Sequence, residues 1–188
     1  MGKTFDRIDD DIRGFMESQR LFFVATAPLD DDGLINVSPK GLDGTFAVVD
    51  EQTVAYLDLT GSGVETIAHV KENGRICLMF CAFEGRPRII RIHGRGTVVE
   101  RGDRRFADAI APFHEYVGAR SVVRVEATRI SESCGFGVPE FEFRANRDQL
   151  TRWADQKGEA GVLEYQAERN AASLDGLPGV GGGVAGPD

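Results

Sequence analysis

Between the strand-like runs Val54–Leu59 and Arg75–Phe80 lies Thr60-Gly61-Ser62-Gly63-Val64-Glu65-Thr66, in which three hydroxyl side chains are interleaved with two glycines. Glycines let backbone N–H groups turn toward an anion, and Ser and Thr hydroxyls donate beside them. The first N–H groups of a helix starting near Val64 have no partner inside the helix. Such a turn suits a phosphate. An ordinary strand-to-helix connection, with Ser and Thr serving as helix caps, has the same composition. Upstream, Ser38-Pro39-Lys40-Gly41 adds a cation that can serve the same anion.

Positive charge is concentrated further along. From Phe83 to Arg105 there are seven arginines against three acids, in a chain whose net charge is −8. Arg91, His93 and Arg95 alternate with Ile90, Ile92 and Gly94, so a strand here has one basic and one apolar face. A solvated, aggregation-resistant edge uses charge in the same way. Of the three histidines, His93 lies on the basic face, His69 on the helix after the turn and His114 beyond a later helix. No arrangement of Ser, His and Asp suggests a triad. The three cysteines, at 77, 81 and 134, form no CxxC and have no His at zinc spacing, so neither a metal site nor a disulfide framework is expected.

Taken together, Tyr56-Leu-Asp-Leu-Thr-Gly-Ser-Gly-Val-Glu-Thr-Ile67, Glu72-Asn-Gly-Arg75, the hydrophobic strand after it and Arg88-Ile-Ile-Arg-Ile-His-Gly-Arg95 resemble the flavin mononucleotide (FMN)-binding core of the pyridoxamine 5′-phosphate oxidase-like split β-barrel proteins. The resemblance spans residues 20 to 130. It implies FMN as cofactor, with Lys40, Thr60, Ser62, Thr66, Arg88 and Arg91 as its contacts; backbone groups of Ser38 and Gly41 can face the ring, and His93 on the basic face is a further candidate contact. Gly63 stands near the place of a lysine in the family's loop, so Lys40 or an arginine is expected to provide that cation. The Ser-Pro-Lys-Gly loop and Cys134-Gly-Phe-Gly-Val-Pro139 are similar to the oxidase-related branch rather than to the vitamin B6 enzyme. The activity so implied is hydride or electron transfer to a small substrate, with reduced nicotinamide as a candidate donor, in a homodimer with the cofactor at the subunit interface. A flavin-binding sensor or carrier without turnover is the alternative, as is a deazaflavin- or haem-binding member of the same fold.

These residues must be held by a core, and 188 residues at 41% hydrophobic are enough for one. No apolar run approaches the roughly 18 residues that span a bilayer, and the N-terminus lacks a secretion signal, so a cytoplasmic protein is expected. The acidic balance argues against a nucleic-acid partner. Ile8, Ile12, Phe15 and Met16 predict an amphipathic helix over 6–19. Strand pairs are expected at 21–27 with 34–37, 45–49 with 53–59, and 75–82 with 88–99, then a helix at 104–113 and a strand at 121–130. After residue 146, Gly158 and Gly161 predict two short helices instead of one. The fold class expected is mainly β with flanking helices (α+β), with antiparallel strands forming a split barrel. A single domain is expected over 1–178, followed by a disordered Gly-rich tail at 179–188.

Overall fold

The computed structural model describes residues 2–181. Its elements are β1 (Lys3–Phe5), α1 (Asp10–Ser18), β2 (Leu21–Thr26), β3 (Asn36–Gly41), β4 (Phe46–Val48), β5 (Thr53–Leu59), α2 (Glu65–Asn73), β6 (Arg75–Cys81), β7 (Ile89–Glu100), α3 (Phe106–Ile110), β8 (Ala119–Ser133) and α4 (Gln149–Arg169). The strands form one antiparallel sheet in the order β3-β2-β6-β7-β8-β5-β4, with β1 paired to β8.

Alternation along the strands explains the curl. Phe22 and Val24, Leu78 and Phe80, Ile90 and Ile92, and Val123 and Val125 all face inward and are buried, as the two-residue period of a strand requires. Closing these faces on one another brings Phe46 of β4 to 5.4 Å from Phe22 and 5.0 Å from Phe80, ring centre to ring centre. The sheet is therefore a curled half-barrel. At the β7–β8 register shift between His93 and Gly94, a side chain at 94 would run into the Glu126 carbonyl, so glycine is needed there. A second apolar cluster, Leu57, Val99, Phe113 and Val122, packs under α3.

Helix α1 covers one end of the core. Asp9 accepts a hydrogen bond from the Ile12 N–H at 2.9 Å, capping the helix, and Asp10 and Asp11 complement its positive N-terminus. Ile12 and Met16 are buried.

All three expected hairpins form, the first with a correction. The second strand of the first hairpin runs over 36–41, so Ser38, Lys40 and Gly41 lie on a strand instead of in a loop after one. β1 was not legible, because Lys3 pairs with Glu132 at the far end of the chain. Helix α3 is short, five residues, and β8 is long, fifteen. The glycine break in α4 is real: Gly158 takes φ 67° and ψ 173°, and separates two helical stretches. Beyond α4, Ala172 bridges to Pro178, and Gly179, Val180 and Gly181 donate backbone hydrogen bonds to Ala171, Asn170 and the Glu100 side chain. The docked segment thus extends past residue 178, where a free tail was expected to begin; the rest of that expected tail, 182–188, lies outside the described residues.

Candidate functional site

The split of the half-barrel is bridged by charge. Asp58 interrupts the apolar run of β5 and is fully buried. One of its oxygens accepts from Lys40 Nζ of β3 at 2.9 Å, and the other from Arg120 Nε of β8 at 2.8 Å. Burial alone would raise the Asp58 carboxyl, but the Arg120 guanidinium and the Lys40 ammonium outweigh it and hold the group at about 2. Lys40 keeps part of its side chain accessible, at 21%, whereas that of Arg120 is 4% exposed. Arg120 Nη1 goes on to donate to the Gly63 carbonyl at 2.9 Å and to Asn170 Oδ1 at 2.8 Å.

The turn from Thr60 to Thr66 lies beside this chain of charges, and α2 leaves it with Val64 as its N-cap. Thr60 is buried, and its hydroxyl donates to the Gly118 carbonyl and accepts from Gln166 Nε2, each at 2.8 Å. Ser62 is exposed. Glu65 sits at the helix start with Oε1 3.4 Å from the Val64 nitrogen and Oε2 accepting from the Leu174 N–H at 2.9 Å. Thr66 is buried and accepts from Asn36 Nδ2 at 3.0 Å. Asn36 in turn accepts from the Ser38 hydroxyl at 3.1 Å. Thr26 Oγ1 lies 3.0 Å from Nδ1 of the fully buried His69. Polar groups of β2, β3 and α2 therefore form one connected wall on this side of the split.

Six of the predicted contacts, Ser38, Lys40, Gly41, Thr60, Ser62 and Thr66, come from the two segments that meet here. The three on or beside β7 do not join them. Arg88 is clamped between Glu132 (2.7 Å) and Asp11 (2.8 Å) and lies over the Phe15 ring, joining α1 to the sheet. Arg91 points to the outer face, where its Nη1 donates to Ser133 Oγ at 2.8 Å. His93 is exposed on that face, opposite Cys77 and Arg129. The same outer face burdens Cys77 and Cys81: burial pushes both thiols up, against the pull of Arg91.

Sequence reading missed Asp58, Arg120, Gln166 and Asn170. Asp58 had a signal: a carboxylate within Val-Ala-Tyr-Leu-Asp-Leu must find cations if it is buried. The other three had none, since only the fold brings β8 and the end of α4 to the turn.

Chemically the wall is a donor surface. It presents the exposed Ser62 hydroxyl and a partly accessible ammonium, a set that suits the phosphate and polar edge of a nucleotide-like ligand. Among the described residues no group of three or more His, Cys, Asp or Glu is arranged to hold a metal, and no helix is long and apolar enough to cross a membrane.

Comparison with known proteins shows the family. The pyridoxamine 5′-phosphate oxidase family model matches residues 8–134. The chain is 42% identical over 192 residues to ustO of Aspergillus flavus, a pyridoxamine 5′-phosphate oxidase family protein, covering 94% of this chain and 77% of that one. Among solved structures, an alanine variant of HupZ from Group A Streptococcus superposes with a TM-score of 0.51 over 67% of this chain and 99% of that one, at 22% identity, a likeness of fold. The match over the strands, the turn and α2 that build the split places this chain in the pyridoxamine 5′-phosphate oxidase family.

Proposed function

We propose that the chain binds FMN at the split of the sheet and acts as an oxidoreductase on a small substrate, with reduced nicotinamide as the first donor to try. The observation that carries this reading is the Lys40–Asp58–Arg120 chain of charges, which ties β3 to β5 beside an exposed hydroxyl-bearing turn. In this reading the phosphate lies against Ser62 and the turn amides, with Thr66 and Lys40 next to it, and the ring runs along the β3 backbone between Ser38 and Gly41. FMN, when bound, supplies hydride and electron exchange at its ring. The protein's part is to orient it and to keep a fixed cation close. Lys40 suits that role because Asp58 holds its ammonium in one place.

The same reading includes a homodimer. Its contact surface is the outer face of β3, β2 and β6, where Val37 is 61% exposed and Phe23 and Met79 are half-buried. Arg91 and His93, on the continuation of that face, then serve a ligand on the partner subunit, and Arg88 serves the fold. A cytoplasmic location fits the three free cysteines.

The test is the visible spectrum of the purified protein and its titration with FMN. Flavin bands, or saturable FMN binding, are expected. A Soret or deazaflavin band, or a colourless protein indifferent to FMN, would sink the reading. Consumption of reduced nicotinamide by the loaded protein then separates an enzyme from a carrier.

A further inference from the structure

Two carbonyls of the turn point to Arg120 of β8 and to Asn170 at the end of α4. Gly61 O accepts from Asn170 Nδ2 at 3.1 Å, and Gly63 O from Arg120 Nη1 at 2.9 Å, while Asn170 Oδ1 accepts from the same Arg120 nitrogen at 2.8 Å. All peptide bonds among the described residues are trans. In a trans peptide the C=O of one residue and the N–H of the next point in opposite directions. With Gly61 and Gly63 carbonyls drawn toward Asn170 and Arg120, the N–H groups of Ser62 and Val64 must face away from them. Of the two, the Val64 N–H is taken up by the Glu65 carboxylate at 3.4 Å, so the N–H of the exposed Ser62 is the one left to face a ligand.

The grip is built, not incidental. Val162, Gln166 and Asn170 recur at four-residue spacing along the end of α4 and are all buried. Gln166 holds the Thr60 hydroxyl at the start of the turn. Both side-chain groups of Asn170 are engaged, and its own carbonyl accepts from the Val180 N–H at 2.8 Å.

We propose that Asn170 is a positioning residue for the ligand turn: by holding the Gly61 carbonyl and anchoring Arg120 at Gly63, it aims the Ser62 amide at the ligand. The C-terminal segment is then a working part of the site. This rests on the reading of the turn as the phosphate cradle of an FMN site.

The experiment uses the full chain with Asn170→Ala, Asn170→Asp and, as a control, Asp175→Ala. Asp175 belongs to the same C-terminal segment but accepts from the Leu34 N–H, away from the turn. In ligand-free protein, amide hydrogen exchange over residues 60–65 should rise about tenfold in both Asn170 variants and stay at the wild-type rate in the control. In titrations, Asn170→Ala should weaken FMN about tenfold and leave riboflavin unchanged. Unchanged exchange at the turn overturns the proposal. Equal weakening of FMN and riboflavin also overturns it, since Asn170 would then hold the domain and not the phosphate-facing amide of Ser62. If Asn170→Ala fails to fold, Asn170→Asp decides, because it keeps the acceptor for Arg120 and loses the donor to Gly61. If no form binds either flavin, the FMN reading has failed, while the exchange result still says whether Asn170 positions the turn.

Discussion

Asp58 is a buried carboxylate between two cations, and removing its charge leaves those cations without a partner. Asp58→Asn should therefore cost about 3–5 kcal/mol of stability, read by urea unfolding. The pH dependence has a definite sign. In the folded protein the carboxyl is held at about 2, against 3.8 ordinarily. The unfolded chain thus takes up the proton first as pH falls. Stability from this group is complete above about pH 4 and declines toward pH 2, by about 2 kcal/mol in all. The acid limb of a stability–pH curve should be shallower by that amount in Asp58→Asn; an unchanged limb would show that the charge is not held there. At the ligand, Ser62→Ala should weaken FMN with little effect on riboflavin, by the 1.5–3 kcal/mol or so of a hydrogen bond to a charged group. Arg91→Ala separates two arrangements: FMN-selective weakening assigns Arg91 to a phosphate, and no effect in a protein that still binds FMN leaves it with Ser133 on the outer face.

At the level of elements, the C-terminal third is held by a few specific devices. Gly158 has a backbone conformation open almost exclusively to glycine, and it lets α4 change direction before Gln166 and Asn170 reach the turn. No atom crowds that position, so Gly158→Ala tests conformation alone. It should cost about 1–3 kcal/mol in thermal or urea unfolding. Ending the chain after Pro178 removes the hydrogen bonds made by Gly179, Val180 and Gly181, together with the carbonyl that accepts from Lys71. We expect a measurably lower melting temperature and weaker FMN binding from that truncation. A chain cut after Pro178 that matches the full protein in both would show the last contacts to be idle.

For the whole molecule, the question is what covers the outer face of the sheet. Exposed Val37 beside half-buried Phe23 and Met79 leaves an apolar band on strands whose inner side is already packed. Light scattering should report a dimer at micromolar concentration, and Val37→Glu with Met79→Glu should shift it to monomer while leaving the far-ultraviolet circular dichroism unchanged. A flavin-saturated wild-type monomer would count against both the dimer and a shared site.

The sequence by itself determined what local rules govern. Alternating apolar residues marked the strands, short polar turns paired them as hairpins, glycine at 158 broke the last helix, and the turn at 60–66 announced itself by its hydroxyls and glycines. Each depends on residues close together in the chain, where sterics and periodicity act directly. What only the tertiary structure decided are the partnerships across long separations. The pairing of β1 with β8, the meeting of Lys40 and Arg120 on Asp58, and the arrival of Asn170 at Gly61 depend on how the sheet curls. Curl is a collective result of packing two inner faces together, and no short stretch of sequence encodes it. The same collective geometry put Arg88 on the α1 side and Arg91 and His93 on the outer face, although all three follow the turn in the same basic stretch.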